Sequence, residues 1–309
     1  MWFKNLTLYK VDFGTELNAT KLNELISLQT FVPCMSNEVL SVGWIPPRKD
    51  NESLVYSQGR HMLLTLRLEK KLLPASIINQ VTKERAEQIE EQQGFKPGRK
   101  QLRDLKEDIK LELLAKAFAI QTETRAWLDL DGGWVIVDTA SNTKADAVIT
   151  LLLRSIADMK AAMFMTQMSP GQCMTNWLLE GEGPSGFSVD MDAELVAPET
   201  KATLKFANET PKTEDVIKHV KAGKQCTKLA MTFDSKVSFV LTAKGEIRRI
   251  KPLDLIQEAA ANNAADTEDD RFDGDMLLMI GELSKLIEGL TESLGGLVEQ
   301  HASTDSAAE

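Results

Sequence analysis

The sequence predicts an α+β protein: mixed strand-and-helix domains, a protruding charged helical hairpin, and a C-terminal amphipathic helix. Three observations carry that prediction. Short apolar stretches bounded by Gly, Asp and Pro recur along the chain and read as strands. Residues 82–121, TKERAEQIEEQQGFKPGRKQLRDLKEDIKLELLAKAFAIQ, read as two polar helices around a GFKPG turn. Met276, Leu277, Ile280, Leu283, Leu286, Ile287 and Leu290 recur at helical spacing and form one apolar stripe.

The elements follow in order. Residues 3–11 alternate around Leu6 and Leu8 as a strand. Asn18 or Thr20 caps a short helix through Gln29, with Leu22, Leu25, Ile26 and Leu28 on its apolar face. Residues 31–47 read as a loop-rich return, because Pro46 and Pro47 exclude helix; Trp44 anchors it. Residues 60–68 form a strand. Pro74 then opens a helix that stops at Gly94, and a second helix spans about 98–118. Strands at 124–130 and 134–138 flank an Asp-Gly-Gly turn, a hairpin signal. A helix at 144–157, an edge strand at 161–166 and a helix at 170–179 come next. Strands at 187–196 and 203–206 follow a glycine-rich turn. Thr213 caps a helix that stops at Gly223. Strands at 225–233, 236–241 and 246–250 close this half, and a polar linker at 259–270 precedes the final helix, 276–294. The division expected is 1–73 with 122–166 as a central α/β domain and 74–121 as the hairpin. A second α/β domain with a basic surface spans 167–258. Residues 259–309 hold an acidic linker, the helix and a disordered tail.

Composition excludes several classes. No apolar run is long enough to span a bilayer, and the N-terminus lacks a signal-peptide core, so the expected location is cytoplasmic. Cys34, Cys173 and Cys226 are too scattered for a metal site or a disulfide framework. The net charge is −10, but residues 201–251 carry 12 Lys/Arg against 5 Asp/Glu, whereas 252–309 carry 2 against 14. An acidic C-terminal segment thus masks a basic middle, and one positive surface remains available to a polyanion.

Enzyme motifs are absent: there is no GxSxG, HExxH, P-loop or GxGxxG. The three histidines, His61, His219 and His301, have no partners in sequence. The glycines of 181–186 lack the Lys-Ser/Thr of a phosphate loop, and the carboxylates of 267–275 have the wrong spacing for calcium. No catalytic residue, metal site or cofactor is expected. Basic residues after the GFKPG turn are the better signal. Arg99, Arg103, Lys106 and Lys110 share one helix face. A second basic group comprises Lys201, Lys205, Lys212, Lys218, Lys221, Lys224 and Lys228, with Arg248, Arg249 and Lys251. Without interleaved aromatics or a base-reading helix, such groups would grip phosphates without reading sequence. Phe118, at the end of the charged helix, reads on physical grounds as a core staple.

Long blocks of the chain resemble the bacterial family of recombination-associated RdgC proteins. They are WFKNLTLYK, FVPC at 31–34, GWIPP at 43–47, EKKLLPASIINQ at 69–80, LLAKAF at 113–118 and WLDLDGGWVIVDTASNTKAD at 127–146. The second half adds AGKQCTKLAMTF at 222–233 and RFDGDMLLMIGELSKLIEGLTESLGG at 271–296. The resemblance implies a ring-shaped homodimer with a positively charged hole that binds double- and single-stranded DNA without sequence preference. It implies a nucleoid location and a restraint on the RecA recombinase exerted through DNA, with no enzymatic activity. It places Lys116 at the family's basic position and Phe118 at the gate between subunits, which reverses the core reading of Phe118. Lys96, Arg99, Lys100 and Arg103 would face the hole. At the family's basic finger this chain has Asn208 and Glu209, so contact there falls to Lys205 and Lys212. The apolar stripe, through Met276, Ile280, Leu283 and Ile287, is a candidate second dimer contact, with core packing as the equal alternative. The rival function is a protein–protein inhibitor of the recombinase, with DNA incidental.

Overall fold

The computed structural model describes residues 2–48, 51–207, 213–254, 256 and 267–298. The N-terminal half contributes β1 (Leu6–Asp12), α1 (Ala19–Ser27), β2 (Leu40–Ile45), β3 (Tyr56–Gln58) and β4 (His61–Lys71). It continues with α2 (Ala75–Gln93), α3 (Arg99–Lys116), β5 (Ala119–Asp129), β6 (Trp134–Asp138), α4 (Asn142–Ser155) and β7 (Lys160–Met163). The C-terminal half holds α5 (Pro170–Glu180), β8 (Phe187–Val196), β9 (Thr203–Phe206), α6 (Thr213–Lys221), β10 (Gln225–Phe233), β11 (Val237–Thr242), β12 (Ile247–Pro252) and α7 (Glu268–Ser293).

All these strands join one twelve-stranded sheet in the order β2-β4-β5-β6-β1-β12-β11-β10-β8-β9, with β3 on β4 and β7 on β1. Every ladder is antiparallel. The strands expected in two separate units therefore share a sheet. Central β1 alternates its burial partners with period two. Leu6 and Leu8 enter one core cluster, and Tyr9 and Val11 enter the other.

That alternation defines two layers. One core lies under α7 and α5 and runs through both halves, from Phe3, Trp127 and Ile136 to Leu229, Phe239 and Ile247. The other lies under α1 and α4 and draws on the N-terminal half alone, with Trp44, Leu64 and Val148. Strands β8–β12 add nothing to the second cluster, so their remaining face is left polar, as one-sided antiparallel sheets commonly are.

Local chemistry explains the boundaries. The Asn18 side chain accepts from the Lys21 amide at 2.8 Å and caps α1. Asp129 accepts from the amides of Asp131 and Gly132 in the β5–β6 turn. Several boundaries differ from the sequence reading, three of them with a clear physical reason. Residues 40–45, expected in a loop, form β2, because the two prolines stop the strand only after Ile45. Trp44 is fully buried there, and its backbone pairs with Gln29 and Phe31. This approach is so close that a Cβ on Gly43 would lie 2.4 Å from Phe31 Cα. β5 starts at Ala119 rather than 124, because backbone pairing with β4 continues through a polar stretch that hides the alternation. α7 begins at Glu268, where Thr267 accepts from the Asp270 amide at 3.1 Å; its acidic first turn suits the helix dipole.

The apolar stripe of α7 is a core face. Met276, Ile280, Leu283 and Ile287 are at most 6% exposed and pack within the chain's own first cluster. The expected second dimer contact cannot be carried by these side chains while the core is intact. A cluster at the start of α7 fixes its orientation. Arg48 pairs with Asp269 and, at 3.1 Å, with Asp273, and it lies over the rings of Tyr56 and Phe272. Leu283→Ala should cost about 2–5 kcal/mol by leaving a cavity, whereas Leu277→Ala, at a 59% exposed position, should cost less than about 0.5 kcal/mol. Urea unfolding followed by circular dichroism distinguishes the two, and equal small effects would contradict the core assignment.

Candidate nucleic-acid interface

The charged residues of α2 and α3 are positioned by the β4–β5 ladder. Its last pair is Lys71 opposite Ala119, and the Leu72 amide donates to the Phe118 carbonyl at 2.7 Å. The helix pair thus leaves and re-enters the sheet at adjacent points. Gly94 ends α2 at φ +79°, a conformation glycine adopts without strain. Ile78, Ile109 and Leu114 are buried yet belong to neither core cluster, so the pair carries its own small apolar contact. Arg85 bridges the two helices to Glu112 at 2.5 Å. Hydrogen bonds from Arg85 and then Lys116 hold the Glu112 carboxyl below its usual range.

The predicted DNA-binding residues fall into separate places. Lys96 lies in the turn, Arg99 and Lys100 open α3, and Arg103 follows one turn later; all four are exposed. Among the described residues, Lys96, Arg99 and Lys100 have no carboxylate within ion-pair distance. Arg103 meets only its neighbour Asp104, at 3.7 Å. The first turn of α3 has no acidic residue and no side-chain cap. Cations there add to the positive end of the helix dipole, which opposes stability and attracts an anion. Lys116 sits at the other end of α3, about 25 Å away at 1.5 Å per residue. It pairs with Glu112 at 3.3 Å. Lys110, on the expected basic face, is half-buried and pairs with Glu107. Lys205 is far along the chain on β9, and Lys212 lies outside the described residues.

Phe118 is 85% exposed, so the core-staple reading fails. It is not isolated. Leu40, Lys70 and Ile120 are register partners across β2, β4 and β5. Period-two alternation then puts Leu72 and Phe118 on the same face as Leu40 and Ile120. Each of these four apolar side chains is at least 49% exposed. Nearby, Glu69 accepts from the Cys34 amide at 2.7 Å and from Gln121 at 2.6 Å, and Lys71 donates to the Met35 carbonyl at 2.6 Å. These bonds hold the loop carrying exposed Val32 and Met35 against the strand. An apolar patch at the root of the helix pair is the kind of surface that marks a protein contact.

Sequence reasoning counted Arg248 and Arg249 as basic residues but did not see that they share a site. Both line a cavity of about 480 Å³ with Lys205, Lys228 and Glu194 on the polar sheet face. Burial opposes ionisation of Glu194, but hydrogen bonds from Lys228 and Thr227 outweigh it and hold the carboxyl below its usual range. The only legible signal was the RR pair within an alternating strand.

Other chemistry is sparse. Among the described residues no group of three or more His, Cys, Asp or Glu side chains is arranged to hold a metal. His61 takes a hydrogen bond from Trp127 Nε1 at 3.3 Å and lies 3.5 Å from Asp129. All three cysteines are free, and burial pushes the Cys226 thiol up to about 12. Among the described residues no helix is long and apolar enough to cross a membrane.

The fold and site thus define an antiparallel α+β chain with a cationic helix tip free of ion pairs among the described residues and an exposed apolar root. Comparison with known proteins narrows the class. Residues 1–297 match the family described as "RdgC: Putative exonuclease, RdgC". The chain is 47% identical to the recombination-associated protein RdgC of Herminiimonas arsenicoxydans over 96% of this chain and 98% of the relative. It is 48% identical to that of Burkholderia cenocepacia over 96% of each, and 46% identical to that of Ralstonia nicotianae over 100% and 99%. The chain belongs to the RdgC family.

If these cations hold a nucleic-acid backbone, replacing Lys96, Arg99 and Lys100 together by Gln should reduce the log–log salt slope of DNA binding by about 2–3, at roughly 0.9 per phosphate contact. The same variant should melt at an equal or higher temperature, because it removes cations from the positive helix end. An unchanged slope would place the phosphate contacts elsewhere.

Proposed function

We propose that this protein binds double- and single-stranded DNA without sequence preference, as a ring-shaped homodimer that encircles it. In this reading it works at the nucleoid in the cytoplasm, uses no cofactor and catalyses no reaction. It modulates recombination by limiting the access of the RecA recombinase to DNA. The observation that carries the reading is the uncompensated cationic tip of α3 in a chain of net charge −10. A structural helix end has no use for three unpaired cations, whereas a phosphate backbone does. Family membership supports the recombination context, since the relatives are named recombination-associated. The exposed Phe118 patch supports self-association, as the gate that closes the ring.

Two other readings have their own tests. The family description contains the word exonuclease. In the rival binding mode the protein inhibits the recombinase by direct contact. Fluorescence anisotropy with unrelated duplexes and single strands should give affinities that differ little with sequence and fall steeply with salt. The same DNA should stay intact with magnesium present. Shortened strands would establish the nuclease. Inhibition of RecA by the tip-neutralised variant at saturating DNA would establish the direct-contact mode.

Phe118→Ser should leave the melting temperature within about 2 °C, since an exposed side chain contributes little to the fold. It should weaken retention on linear DNA and the subunit contact seen by sedimentation. A variant that sediments and binds as the parent does removes Phe118 from the gate.

A further inference from the structure

β12 carries two consecutive arginines, and in a regular strand they would face opposite sides of the sheet. The β11–β12 register slips here. Ser238 is opposite Lys251 and Val240 opposite Arg248, so Phe239 alone lies across from Arg249 and Ile250. At this bulge Arg249 adopts φ +52°, a left-handed conformation that is uncommon for a residue with a Cβ. β1 and its flank secure it: the Arg249 amide donates to Asn5 Oδ1 at 3.3 Å, and the Ile250 amide to the Lys4 carbonyl at 2.9 Å. The bulge brings Arg248 and Arg249 to the same 480 Å³ cavity, where Lys205 from β9 and Lys228 from β10 join them. Strain retained at a position where glycine would fit points to a use for the side chain.

Three carboxylates, Asp192, Glu194 and Glu246, also line the cavity, and Glu194 is the one that meets both lysines. Glu194 on β8, with a side chain 16% exposed, lies 3.1 Å from Lys228 Nζ and 3.6 Å from Lys205 Nζ, and it accepts from Thr227 Oγ1 at 3.1 Å. Arg248 is paired with Glu246 at 2.7 Å, and Arg249 with Asp192 at 3.6 Å. A carboxylate and a phosphodiester present similar acceptor oxygens to the same donors, and each carries one negative charge. We propose that this cavity is a subsite for a nucleic-acid backbone phosphate, in which Glu194 is the resident counter-anion and yields Lys205 and Lys228 to an incoming phosphodiester. The subsite rests on the DNA-binding reading above and adds to it a second contact surface, on the sheet rather than on α3. It also adds an internal competitor that holds affinity below what the cations alone would give.

The test is anisotropy of a labelled duplex of about thirty base pairs, titrated with the full chain across a range of potassium chloride, with thermal melting alongside. Glu194→Gln should tighten binding about fivefold and steepen the log–log salt slope by about 0.9, the contribution of one phosphate. Arg249→Gly should weaken binding about fivefold while melting at the same or a higher temperature, because glycine accepts the positive φ. Should Arg249→Gly also lower the melting temperature, Glu194→Gln alone decides. Unchanged or weaker binding by Glu194→Gln, with the parent still bound to the duplex, overturns the subsite and leaves the DNA-binding reading standing. A parent chain that shows no salt-dependent affinity for the duplex overturns both.

Discussion

The apolar face of α7 is the constraint on which the rest of the structure depends. The two halves of the sheet meet at β1 and β12, where only Leu6 and Ile247 are paired in register. So short a ladder cannot by itself hold two sets of strands in a fixed relation. α7 crosses the seam. Met279 Sδ accepts from the Phe3 amide at 3.3 Å on the N-terminal side. Further along, a Cβ on Gly289 would lie 3.4 Å from Phe187 and 3.6 Å from Phe233 on the C-terminal side. Burial of one helix against strands from both halves turns a weak backbone junction into one continuous core. The acidic first turn, docked by Arg48, sets the angle at which that helix arrives.

Much of this was legible in the sequence because it is local. β6, β8, β9 and β10 have the bounds that alternation and turn residues predict. The end of α2 at Gly94 follows from residue type, and of the two caps the sequence offers for α1, Asn18 and Thr20, the structure uses Asn18. The failures share a cause: they depend on partners distant in sequence. β2 is a strand because β4 lies beside it, and the first part of β5 is a strand because β4 has not yet ended. An amphipathic stripe says that a face is covered but not by what, so the core role of Met276 and Leu283 was open until the sheet was in view.

The site was legible to a lesser degree, for the same reason. Charge counting found the cations of α3, yet it could not separate the free ones from the paired ones. Arg103 and Lys110 meet carboxylates on their own helix, whereas Lys96, Arg99 and Lys100 do not. Phe118 shows the converse. Its place at the end of a helix argued for burial, and the family resemblance argued for exposure. The β4–β5 pairing decides it, because Leu72 and Phe118 are bonded through their backbones at the sheet's end, and Phe118 stays exposed there.

The helix pair has two chemically distinct ends, and under the proposed function their separation would let one chain serve two partners. The cations are concentrated at the tip, where the first turn of α3 has no acidic residue and the helix dipole reinforces them. The apolar side chains are concentrated at the root, fixed to a rigid ladder that spends no conformational entropy on presenting them. With about 25 Å of α3 between them, several Debye lengths at moderate salt, the tip's field is largely screened at the root. A polyanion at one end and a protein surface at the other can then be engaged without direct electrostatic interference. Any coupling between them must pass through the packing of α2 on α3, which the Arg85–Glu112 bridge spans. A chain that had to close around DNA would need this division, because an apolar contact at the tip would compete with phosphate for the same surface.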